Sequence, residues 1–224
     1  MTVSPSNVLR GIGIGVSVRL DYILFPIKFE DFRDALASKG YTIEVPRTPR
    51  LPIGTQVTVS GTIARKGDVV VGLDAERQVF GAEGKNLADV IAVFSELENI
   101  IEGVLRIEIT PKARFYEILA NYEAVTGQNP LQQISKIKLP ENVAKGFEEI
   151  LKAPVSNFTL HVSPVGQMPN QEDWFDIRIE PLVFRATDTY LVNVIYRNKD
   201  KSKFTDFMSN LETTIKSILD LIDK

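Results

Sequence analysis

The chain has 224 residues, with 26 basic and 29 acidic side chains and a formal charge of −3. Hydrophobic residues make up 44% and charged residues 25%, the balance of a globular chain with a sizeable core, which argues against disorder and against bulk electrostatic binding of polyanions. Cysteine is absent and histidine occurs once, so disulfides, thiolate catalysis, Cys-ligated metals and His-rich metal centres are excluded, and no cofactor is expected.

Met1–Arg10 lacks the basic-then-apolar order of a signal peptide, and no apolar window reaches the ~18 residues of a membrane span, so a cytoplasmic address without membrane contact is expected. The first clear pattern is an alternation. Val16, Val18, Leu20, Tyr22 and Leu24 share one side and Ser17, Arg19 and Asp21 the other, which predicts a half-buried strand over Val16–Leu24. A helix is expected from Lys28 to Lys39, with Phe29, Phe32 and Leu36 on one stripe and Gly40 stopping it. Tyr41–Val45 reads as a short strand, ended where Pro46, Pro49 and Pro52 remove ladder donors. Gln56–Ala64 alternates again, with Val57, Val59 and Ile63 inward. Lys66-Gly67-Asp68 turns the chain into a strand over Val69–Leu73, and another follows near Gln78–Phe80. Asn86 caps a helix faced by Leu87, Val90, Ile91, Phe94, Leu97 and Ile101, and Gly103 closes the first unit, residues 1–103.

The second unit, residues 104–224, is expected to open the same way. Leu105, Ile107 and Ile109 read as a strand, and Thr110-Pro111 starts a helix through Phe115, Ile118, Leu119 and Tyr122 to Gly127. A helical insertion follows over about 129–152, in two segments opened by Asn129-Pro130 and by Pro140. Strands are expected at Asn157–Val162, Trp174–Phe184 and Tyr190–Arg197, and one final helix over Ser202–Ile222, about 30 Å long. Both halves thus read as strand, helix, antiparallel strands, long helix. That predicts an α+β protein built by internal duplication into one compact structure, its curved sheet carrying helices on one face only. The order of elements resembles the TATA-binding-protein-like saddle, in topology alone.

Few residue patterns carry chemistry. Gly11-Ile12-Gly13-Ile14-Gly15 lacks the spacing of a dinucleotide fingerprint and leads into a strand, so it reads as a strand with a bare face where another backbone approaches. His161, the only imidazole, falls with Asn157 and Thr159 on the non-core side of its strand, where a solvated histidine is the simpler reading and a general base the sharper one. Asp74 with Glu76, and Glu172 with Asp173 and Asp176, are acidic clusters at turns without cation-loop spacing.

The face of the second half is more informative. With Phe175, Ile177, Ile179 and Val183 toward the helices, Trp174, Asp176, Arg178, Glu180, Leu182 and Phe184 occupy the open side, beside Leu191, Asn193, Ile195 and Arg197. Such a mixed aromatic, aliphatic and charged patch marks a binding surface, unless the inserted helices around Leu131–Leu151 cover it. The leading expectation is a non-enzymatic binding or assembly protein using this face, with Trp174, Arg178, Leu182, Phe184, Ile195 and His161 as its binding residues and a homodimer or another protein as the partner. A saddle-like nucleic-acid-binding factor is the alternative, disfavoured because arginines on the face are matched by acids. A hydrolase built around His161 is the third.

Overall fold

The computed structural model describes residues 7–21, 29–44 and 60–224. In chain order these form β1 (Val8–Leu20), α1 (Phe29–Ser38), β2 (Thr42–Ile43), β3 (Ser60–Lys66), β4 (Val69–Asp74), β5 (Val79–Gly84) and α2 (Leu87–Gly103). The second half supplies β6 (Ala113–Val125), α3 (Pro130–Ser135), α4 (Glu141–Leu151), β7 (Leu160–Val162), β8 (Trp174–Pro181), β9 (Thr189–Asn198), α5 (Lys201–Ser209) and α6 (Leu211–Ile222). All nine strands join one open antiparallel sheet in the order β2-β3-β4-β5-β1-β6-β9-β8-β7, so the protein is α+β. Among the described residues, no helix is long and apolar enough to cross a membrane.

Alternation decides which side of the sheet is covered. On β1, Ile14, Val16, Val18 and Leu20 are buried; on β6, Tyr116, Ile118, Ala120, Tyr122 and Ala124; on β9, Tyr190, Val192 and Val194. These join one core with Val90, Phe94 and Leu97 of α2, Phe204 and Met208 of α5, and Leu211, Ile215 and Leu219 of α6. Removing this much apolar surface from water, at about 25 cal/mol per Å2, is the main drive for the layer. Buried polar groups of the sheet then fix the helices in place. Tyr41 donates to Glu96 on α2 (2.8 Å), Tyr122 to Glu212 on α6 (3.3 Å), and Tyr190 and Thr126 donate to Asp223 just past α6 (2.7 and 2.8 Å).

The first half follows its sequence pattern wherever it is described. Phe32 and Leu36 are buried on α1 and Gly40 follows with φ of +80°. Gly67, at φ +57°, turns β3 into β4, and Asn86 caps α2 by accepting from the Asp89 amide at 3.1 Å. Tyr22, Leu24, the side chain of Phe29, Pro46–Pro52 and residues 56–59 lie outside the described residues. The glycine run is part of β1, which is longer at its start than the alternation alone implies. A bulge at Ile12 interrupts its pairing with β6, and a Cβ at Gly11 would lie 2.1 Å from the Lys85 carbonyl oxygen, a close backbone approach that only glycine permits.

The second half corrects several expectations. Leu105–Ile109 is not a strand but an irregular link, with Arg106 in the left-handed region at φ +54°. Thr110-Pro111 opens only a single 3₁₀ turn, and the segment expected to be a helix through Tyr122 is β6, thirteen residues long and paired to both β1 and β9. The expected final helix is broken at Asn210 (φ −104°, ψ 6°) into α5 and α6. Strand β8 stops at Pro181, so Leu182 lies beyond it and Val183 and Phe184 sit in a 3₁₀ turn. The two inserted helices stand where expected. Asn129 caps α3 by accepting from the Gln132 amide at 3.2 Å.

Candidate functional site

The helices leave the other face of β6, β9 and β8 open. Register places Leu119, Ile195 and Asp176 in one row across it, and Asn121, Asn193, Arg178 and His161 in the next. Leu119 is 44% exposed, and Ile195 and Leu191 are half-buried. His161 Nε2 lies 2.6 Å from Asp176 Oδ1, so the imidazole is held by a carboxylate from the neighbouring strand while more than half of its side chain stays exposed. Arg178 donates to Glu180 at 2.6 Å, and Glu180 also accepts from the Thr159 hydroxyl at 3.1 Å. Arg10 faces Glu123 at 3.9 Å. The face therefore combines an aliphatic strip with charges that are already paired, not a field of one sign.

Trp174 belongs to the same face but is only 8% exposed. Arg197, directly opposite it on β9, spreads its guanidinium between two rings, 5.1 Å from the centroid of Phe115 and 5.6 Å from that of Trp174. The same guanidinium donates to Glu117 and to the Pro169 carbonyl at 2.6 Å, so the loop before β8 is tied down at this corner. Trp174 is thus held as packing within a stack. It is not a free contact residue.

Trp174, Arg178, Ile195 and His161 are brought together by β7, β8 and β9. Leu182 and Phe184 are not: Phe184 is 95% exposed on the turn past β8. The inserted helices leave the open face uncovered. Ile134 of α3 enters the helix-side core with Ile177 and Ile179, and α4 buries none of its residues.

Toward the first half the open face becomes a shallow depression of about 400 Å3. Gly15 of β1, Gly72 of β4 and Gly81 of β5 form its floor, Ser17, Asp74 and Glu83 its polar rim, and Leu119 its border with the second half. Gly81 is needed for packing, since a Cβ there would lie 2.5 Å from the Val16 carbonyl oxygen. Gly15 has no neighbour within 4 Å of the same atom and leaves the floor bare. Leu119 and Glu117 are residues that sequence reading missed, because their segment reads as a helix. Once β6 is taken as a strand, alternation alone places both on the open face.

This geometry defines an α+β protein with an open antiparallel sheet and one uncovered mixed-character face. No protein-family model matches the chain, and no curated protein matches its sequence.

Proposed function

We propose that this chain is a non-enzymatic binding or assembly protein whose interface is the open sheet face of its second half, and that a second copy of the chain is its partner. The observation that carries the reading is the Leu119–Ile195–Leu191 strip, uncovered by α3 or α4 and flanked by the His161–Asp176 and Arg178–Glu180 pairs. An apolar centre with a paired polar surround is the anatomy of a protein interface. Charges that are already matched around an apolar strip favour a second copy as the partner, because a patch with no excess of either sign meets its own image without repulsion. The binding residues are then Arg178, Ile195 and His161 with Leu119, while Trp174 supports them from its stack.

The proposal includes an internal duplication with a saddle-like arrangement. Supporting it, each half pairs its first strand with its last, β1 with β5 and β6 with β9, and the two opening strands pair with each other antiparallel. Such a shape does not by itself imply nucleic-acid binding, since function lives in the site and not the fold. Arg178 and Arg197 on this face are each committed to a glutamate, which leaves neither of them as a free cation for a phosphate.

Light scattering coupled to size exclusion tests the reading. The wild type is expected as a dimer, and Leu119→Asp with Ile195→Asp as a folded monomer. A double variant that folds and keeps the native assembly would exclude this face. Nucleic acid retained at low salt and released at high salt would replace the proposal with the nucleic-acid reading.

A further inference from the structure

Each carboxylate on the open face of β6 and β8 has one cation set against it. Glu117 accepts from Arg197, Glu180 accepts from Arg178 at 2.6 Å, Glu123 faces Arg10 at 3.9 Å, and Asp176 Oδ1 lies 2.6 Å from His161 Nε2. Three of these four partners are guanidinium groups, which keep their charge at any working pH. The fourth is an imidazole, the side chain whose charge changes between about pH 5 and 8. Asp176 is thus the one carboxylate of the set whose partner can lose its charge.

It is also a carboxylate that association would cover. Register sets Asp176 in one row with Ile195 and Leu119, the centre of the apolar strip. Its side chain is 22% exposed and that of His161 56%, so both still meet water in the single chain. A second copy seated on the strip would strip that water away. With an imidazolium opposite, Asp176 keeps a matched charge and a charge-assisted hydrogen bond. With a neutral ring, the carboxylate is desolvated without a counter-charge, and a twofold dimer repeats the cost.

No neighbouring charge takes over that role. β7 is the outermost strand, so β8 alone flanks it in the sheet, and the charged groups that β8 sets beside His161 are Asp176, Arg178 and Glu180. Arg178, directly opposite His161, donates to Glu180, which also accepts from the Thr159 hydroxyl. Asn193 of β9, next in the row, carries no charge.

We infer that self-association through this face is gated by a proton on His161, an inference that rests on the dimer proposed above. Each copy takes up one proton as the interface closes. Because the dimer favours the protonated ring, it is tight below the histidine range and loosens as the pH rises through it.

Analytical ultracentrifugation of the full chain at pH 6.0 and pH 8.0, read as the dimer dissociation constant, tests this. His161 is the only histidine, so this interval reads chiefly one side chain. The wild-type dimer is expected to be at least about tenfold tighter at pH 6.0. His161→Gln, which keeps a donor for Asp176 and cannot titrate, should bind about equally at both values and about as weakly as the wild type at pH 8.0. Asp176→Asn should reverse the dependence, because the imidazolium then lacks a counter-charge at pH 6.0. Circular dichroism establishes that each variant is folded, and if His161→Gln is not, Asp176→Asn decides. A wild-type dimer of equal affinity at both values, still dissociated by Leu119→Asp with Ile195→Asp, would overturn the gate and leave the interface standing. A pH dependence that survives in His161→Gln would do the same. A wild type that is monomeric at both values, or a dimer that the double aspartate variant leaves intact, would remove interface and gate together.

Discussion

Arg197 shows how one side chain can organise a corner of this molecule. Its guanidinium lies between Phe115 and Trp174, pairs with Glu117 and reaches the Pro169 carbonyl, and both members of the ion pair are largely buried. Removing one partner of such a pair leaves the other charge desolvated. Arg197→Ala is therefore expected to cost about 3 kcal/mol in urea unfolding. Arg197→Lys should recover little of that, since an ammonium cannot stack flat or fork. Trp174 is the only tryptophan, so its emission should shift to the red in the alanine variant as water enters the stack. His161 is the contrasting case: its partner Asp176 lies on the next strand, but the imidazole is mostly exposed. His161→Ala should change stability by less than about 0.5 kcal/mol, measured the same way.

Elements were legible where local chemistry and periodicity agree. Asn86 before an apolar stripe announces α2, and the cap is present; Asn86→Ala should lower stability by about 1 kcal/mol. Asp200 caps α5 by accepting from the amides of Ser202 and Lys203, which holds its carboxyl below the usual range. Because the folded value is the lower one, this contribution is complete above the ordinary aspartate range and is lost as the pH falls through the folded value. Asp200→Asn should accordingly flatten the acid side of a Tm-against-pH curve. Strand β6 was not legible, for a definite reason. Phe115, Ile118, Leu119 and Tyr122 fall at helical spacing, while the strand reading needs Ala120 and Ala124 as core residues, and alanine carries little strand propensity. Thr110-Pro111 strengthened the wrong choice, since the same pair that starts a helix also starts a lone 3₁₀ turn. The break at Asn210 gives no stronger signal, because the apolar stripe continues through it from Phe204 to Leu219.

At the scale of the whole molecule, the layers are joined by tyrosines of the sheet that donate to carboxylates on or beside the helices. Burial first, and then the neighbouring carboxylate, pushes the hydroxyls of Tyr41 and Tyr190 well above the ordinary tyrosine range, and burial with Glu212 does the same for Tyr122. Their folded values are the higher ones, so their contribution is whole below the unfolded value of about 10 and is lost as the pH rises beyond it. Tyrosinate absorbance and loss of ellipticity should therefore rise together above about pH 10, with a shallower transition in Tyr190→Phe. The α+β class and the one-sided helix layer could be read from the sequence because alternation is a local signal. The extent of the open face could not, since it depends on which strand lies beside which, and Leu119 joins Ile195 only through the pairing of β6 with β9. The central position of β1, between β5 and β6, also has a consequence for synthesis. Its partner on one side is made about a hundred residues later, so a nascent first half carries a long unsatisfied strand edge until β6 has left the ribosome. Chains stalled while β6 is still inside the ribosome should then cross-associate through β1, and stalling once β6 has fully emerged should suppress it.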